Sequence, residues 1–192
     1  DNRCQNNAPP LVIASCKQTI TILKKHFFNG LLWPDFAKIP SESQPTITYR
    51  VLPPEKVTEI AGFEVQAIMV SHTIDSCAFL VRQKGRKGGA VAYSGDTGPT
   101  DRLWDVLNGA EDLRAMLMEV SFPNEQQKLA TLSGHHTPDT LGRELLKFDR
   151  RKDVPMLLYH IKPTFERTVE RELSKLKGCE LSVLRLGEEF KI

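Results

Sequence analysis

Hydrophobic positions change rhythm twice along the chain. A polar stretch, Asp1 to Pro10, closes in Pro-Pro and reads as a loop entering a short apolar strand, Leu11 to Ala14. Lys17 to Phe28 then places Ile20, Leu23, Phe27 and Phe28 near helical spacing, ahead of the stop signal Asn29-Gly30. Leu31 to Ser43, with Pro34, Pro40 and the pair Trp33 and Phe36, reads as an ordered connector. From Thr46 the period becomes two: Ile47, Tyr49 and Val51 alternate with polar residues until Pro53-Pro54 closes the strand. Phe63, Val65, Ala67 and Met69 alternate likewise, and the runs Ala78 to Val81 and Ala90 to Tyr93 read as buried strands. The basic turn Lys84-Gly85-Arg86-Lys87-Gly88-Gly89 separates those two runs.

Beyond Asp96 strands and helices alternate. Helices are expected at Arg102 to Leu107, Pro138 to Leu146 and Phe165 to Lys177, and strands at Ala115 to Val120, Met156 to Tyr159 and Leu181 to Leu186. Strands first as hairpins and then in alternation with helices predict a mixed sheet covered by helices, an α/β (α+β) architecture. No internal repeat and no linker interrupts the chain, so residues 1–192 read as a single domain.

Composition narrows the function. The chain has 192 residues, 40% of them hydrophobic, with 26 Lys+Arg against 24 Asp+Glu and a net charge of +2. That is ordinary globular composition. It disfavours nucleic-acid binding by bulk electrostatics. No apolar run approaches the roughly 20 residues that span a bilayer. Cys4, Cys16, Cys77 and Cys179 show no CxxC spacing, so free thiols in a reducing, cytoplasmic compartment are the expectation. One or two disulfides in an exported protein are the alternative. The basic turn at Lys84 to Lys87 has no interleaved aromatics and reads as a solvated hairpin tip. Cys77 reads as a small buried hydrophobe.

The chemistry lies where polar residues meet strand ends. His72 follows Ala67 to Val70, Asp96 follows Val91 to Tyr93, Glu119 ends Met116 to Met118, and His160 follows Met156 to Tyr159. Loops at the ends of strands in open sheets converge, so four such ends can deliver their ligands or acids to one place. Histidine with carboxylate suits zinc, manganese or iron. In Gly134-His135-His136-Thr137-Pro138, Thr137 reads as a helix N-cap and Pro138 as the first helical residue. The adjacent histidines cannot point the same way, so one is functional and the other solvated or packed. Taken singly, each of these residues also fits a structural role: a satisfied histidine, an Asx turn at Gly95 to Gly98, a solvated Glu119.

Together they resemble a known family. Val70-Ser71-His72-Thr73, Tyr93-Ser94-Gly95-Asp96-Thr97-Gly98-Pro99, Glu119-Val120-Ser121-Phe122-Pro123-Asn124, Gly134-His135-x-Thr137-Pro138 and Tyr159-His160-x-Lys162-Pro163 occur in order. This series is similar to the class II cyclic-nucleotide phosphodiesterases, a branch of the metallo-β-lactamase superfamily close to the tRNA 3′-processing nucleases. The resemblance runs over residues 11–186. It implies an αββα sandwich that hydrolyses cyclic AMP to 5′-AMP with two divalent metal ions, zinc foremost. It further implies that His72 and His160 are metal ligands and that Asp96 bridges the ions. His135 is then the histidine that contacts the phosphate and protonates the leaving oxygen, and Glu119 the acid that orients it.

One departure is large. The superfamily's His-x-His-x-Asp-His motif is absent, and His26 stands alone. The chain therefore resembles the C-terminal portion of such a hydrolase, lacking the N-terminal strands and that loop. The expectation is weak metal binding and no substantial activity by the chain alone. An RNA-processing phosphodiesterase or nuclease of the same superfamily, and a metal-free degenerate binding module, are the alternatives. The expected partner is a small cyclic nucleotide, with neither membrane nor nucleic acid. A homodimer, the native metal and the choice between cyclic AMP and cyclic GMP are left open.

Overall fold

The computed structural model describes residues 8–85 and 88–190. The expectations for Asp1 to Asn7 and for Arg86-Lys87 lie outside the described residues. The chain divides into two compact units, residues 1–56 and 57–192.

In the first unit, β1 (Leu11–Ser15) pairs in parallel with β4 (Ile47–Val51), Leu11 opposite Ile47. Between them run α1 (Lys17–Ile22), a π-helical turn over Leu23–Phe27, and the two-residue strands β2 (Pro40–Ser41) and β3 (Gln44–Pro45). The helix expected over Lys17 to Phe28 thus changes winding halfway. Phe27 then stacks on Trp33 at 6.1 Å, and Phe28 meets Phe36 edge-on at 6.0 Å, which orders the connector.

The second unit is built on a seven-stranded sheet in the order β11-β10-β9-β8-β7-β6-β5. Its hairpin half comprises β5 (Val57–Ile60), β6 (Phe63–Val70), β7 (Ser76–Gln83) and β8 (Ala90–Tyr93), all antiparallel neighbours. Its parallel half continues from β8 to β9 (Leu113–Glu119), β10 (Met156–Tyr159) and β11 (Leu181–Val183). The helices are α2 (Arg102–Asn108), α3 (Gln127–Ser133), α4 (Pro138–Leu145) and α5 (Glu166–Leu173). β5 and α3 escape the apolar pattern, being only four and seven residues long.

Alternation decides what each strand buries. Ile68, Ala78, Leu80, Ala92, Met116, Met118, Met156 and Leu158 join Leu103, Trp104 and Leu107 of α2, Leu141 and Leu145 of α4, and Val169 and Leu173 of α5 in one buried core. Strands β6, β8, β9 and β10 all run the same way through the sheet, because β7 is antiparallel to both its neighbours. Their C-terminal ends therefore share one edge. The thiols depart from expectation in part: Cys16 and Cys77 each take part in a disulfide bond, whereas Cys179 is free. No helix among the described residues is long and apolar enough to cross a membrane.

Candidate active site

That shared edge carries the chemistry. His72 lies just beyond β6, Asp96 beyond β8, Glu119 is the last residue of β9 and His160 follows β10. Tyr159 pairs with Glu119 in the β9–β10 ladder, which brings the last two into neighbouring positions. His135 arrives from the turn between α3 and α4. There Gly134 caps α3 in the left-handed conformation, with φ +71°. Thr137 opens α4 with a reciprocal capping box shared with Thr140, and Pro138 follows it, as the sequence predicts.

All five expected residues converge. The His72 and His160 rings each sit 5.0 Å from the His135 ring, centroid to centroid. His160 Nδ1 is 3.4 Å from Asp96 Oδ1 and 3.9 Å from Glu119 Oε2, while His135 Nδ1 is 3.5 Å from Glu119 Oε1. Two sets of potential ligand atoms lie within 4.8 Å of one another: His72, Asp96 and His135 in one, Glu119, His135 and His160 in the other.

Short polar contacts hold the loops in place. His72 Nδ1 donates to the Gly134 carbonyl at 3.0 Å. Gly98 N donates to the Ser71 carbonyl at 2.7 Å, tying the loop after β8 to the loop after β6. Ser76 Oγ donates to the Asp96 carbonyl at 2.9 Å. Asn124 Oδ1 accepts from Asp139 N and Asn124 N donates to Glu172, so the loop after β9 is anchored to both α4 and α5. Behind the site, Glu144 accepts from Trp104 Nε1 at 2.8 Å and from Thr100 N at 3.0 Å, and pairs with Lys147 at 2.7 Å.

Glu119 is fully buried, not solvated. Its carboxylate accepts from His136 N at 2.9 Å and from Ser121 Oγ at 3.0 Å. A buried carboxylate this close to two imidazoles is sustained by such donors. His136 resolves the question of the paired histidines: its ring is packed, with no exposed surface, and burial pushes it down to about 4. Burial also lowers His160, opposed chiefly by the Asp96 carboxylate. Tyr159, raised by burial, donates to the Gly95 carbonyl at 2.9 Å and stacks on Tyr93. His160 itself has φ +71°, a left-handed conformation that costs about 1–3 kcal/mol outside glycine and is tolerated where it aims a functional group.

The donor set fits a divalent cation. Imidazole and carboxylate in clusters of three are the ligands that zinc, manganese and iron accept. His135 Nδ1 is buried and makes no hydrogen bond among the described residues, with the Glu119 carboxylate 3.5 Å away. The sequence passes over Ser121, Phe122 and Lys162 as site residues. Phe122 lies 6.0 Å from the His135 ring, and Lys162 Nζ is 3.3 Å from His160 Nε2 and 5.7 Å from the centre of the Phe122 ring. Their nearness depends on β9 and β10 being neighbours, which sequence spacing does not encode.

The sheet and its helices have the metallo-β-lactamase fold, as likeness to solved structures shows. The chain aligns with the metallo-β-lactamase fold protein YhfI from Bacillus subtilis at a TM-score of 0.67 and 15% identity, covering 94% of this chain and 65% of that one. The model of the class-II cAMP phosphodiesterases matches residues 2–177, and the chain belongs to that family. It is 28% identical over 201 residues to a probable 3′,5′-cyclic-nucleotide phosphodiesterase of Yersinia pestis, over 94% of this chain and 56% of that protein. Unliganded yeast PDE1 aligns at a TM-score of 0.79 and 21% identity, over 93% of this chain and 59% of that one. The chain thus spans just over half the length of these relatives.

Proposed function

We propose that the chain carries part of the catalytic centre of a 3′,5′-cyclic-nucleotide phosphodiesterase that converts cyclic AMP to 5′-AMP. The observation that carries this reading is the convergence of His72, Asp96, Glu119, His135 and His160 on one sheet edge in a member of the class-II family. His72, Asp96 and His160 would hold two divalent cations, zinc foremost. Bound cations supply Lewis-acid polarisation of a phosphoryl oxygen and a hydroxide-like nucleophile at neutral pH.

The remaining steps belong to the chain's own residues. His135 is the general acid: its imidazole delivers a proton to the ribose 3′ oxygen as the phosphorus–oxygen bond breaks. Glu119, 3.5 Å from His135 Nδ1, orients that ring. The backbone N–H of His136 fixes Glu119 in turn. Phe122 packs beside His135 and shields the acid from bulk water.

The test uses the full-length gene product supplied with zinc. Hydrolysis of cyclic AMP should fall by about 10²–10⁴ in His135→Ala, with precursor tRNA left intact. Cleavage of precursor tRNA with no turnover of cyclic AMP would replace this reading by the nuclease one. Purification without any transition metal would replace it by the metal-free module.

A further inference from the structure

We propose that Ser121 is a positioning residue whose hydroxyl fixes His160 in the Nδ1–H form, with the lone pair on Nε2. Ser121 is fully buried, and its hydroxyl touches two groups: Glu119 Oε2 at 3.0 Å and His160 Nδ1 at 3.1 Å. A serine hydroxyl has one proton to give. The carboxylate of Glu119 has none and accepts, so the proton points to Glu119. The hydroxyl oxygen must then accept from His160, which requires the ring proton on Nδ1.

Two other contacts lead independently to the same form. Lys162 Nζ lies 3.3 Å from His160 Nε2, and an ammonium group has donors only, so Nε2 must be the acceptor. Asp96 Oδ1, 3.4 Å from Nδ1, also favours a proton on that nitrogen. Backbone bonds hold Ser121 in register: its N donates to the His136 carbonyl at 2.9 Å, and its carbonyl accepts from Lys162 N at 3.2 Å. The chain Glu119–Ser121–His160 thus does for His160 what the Gly134 carbonyl does for His72, which likewise donates through Nδ1. Ligating histidines commonly have their second nitrogen held in this way, and loss of the partner weakens metal affinity about 10–100-fold. The tautomer stands by itself; only its consequence for metal binding rests on the proposed function.

The decisive experiment is nitrogen-15 NMR of the imidazoles in the chelator-treated 192-residue chain, above the ordinary imidazole titration range, with His160 assigned by His160→Gln. His160 should show the Nδ1–H signature, shifting toward Nε2–H in Ser121→Ala and returning in Ser121→Thr. An Nε2–H signature in the wild-type chain overturns the proposal, as does an unchanged signature in Ser121→Ala. If Ser121→Ala does not fold, the wild-type and Ser121→Thr spectra decide: the proposal requires Nδ1–H in both. Zinc competition against a chromophoric chelator, with the full-length gene product, separates the two readings. A shifted tautomer with unaltered zinc affinity leaves Ser121 in its role and removes His160 from the metal ligands.

Discussion

His136 is fully buried, its Nε2 finds no hydrogen-bond partner among the described residues, and burial pushes its imidazole down to about 4. The Glu144 carboxylate opposes that shift only in part. An unfolded chain would titrate the same ring near the ordinary ~6.5. Above that pH both states hold the ring neutral and the fold has its full stability. As the pH falls, the unfolded chain takes up the proton first, so stability is lost progressively until the folded ring also protonates near 4. The gap between the two values corresponds to about 3 kcal/mol, a large share of the roughly 5–15 kcal/mol that holds a domain folded. Urea unfolding at a series of pH values measures it, with His136→Gln as the non-titrating reference. The stability difference between the two proteins should change by about 3 kcal/mol across that window. A difference independent of pH, or a His136 resonance titrating near ~6.5, would refute the reasoning.

Two substitutions test the framework around the site. A Cβ on Gly134 would stand 2.8 Å from His72 Nδ1 and 3.1 Å from its Cα, at φ +71°. Gly134→Ala should therefore lose about 1–2 kcal/mol from backbone conformation alone. It should also weaken zinc binding through a displaced His72; unchanged urea midpoint and zinc affinity would contradict this. Glu144→Ala leaves Trp104 Nε1 and Thr100 N without their acceptor in the interior and should destabilise by about 3 kcal/mol or more. Glu144→Gln, which keeps an acceptor oxygen, should cost clearly less in thermal unfolding, and equal losses would show that those two bonds are not what matters.

The parts of this site that follow strand periodicity were legible in the amino-acid sequence. His72, Asp96, Glu119 and His160 each terminate an apolar run, and their convergence follows once β6, β8, β9 and β10 share a direction. The caps of α4 were legible for a similar reason, since Thr137 and Pro138 act locally. Ser121 and Lys162 fall in recognisable stretches, yet their roles come from contacts across β9 and β10 that no local signal carries. Burial was the other gap. Nothing around Glu119 distinguishes a solvated strand-end carboxylate from one enclosed by Ser121 and the His136 backbone. The π-helical turn at Leu23–Phe27 was missed because its spacing still resembles that of an α-helix.

The most direct test of the central claim is product analysis of cyclic AMP incubated with the full-length gene product, stripped with chelator and then restored with zinc. The account predicts 5′-AMP and no 3′-AMP, appearing only after metal is restored and abolished by Asp96→Ala. Turnover that survives Asp96→Ala, or a zinc-loaded protein that leaves cyclic AMP intact, would contradict it.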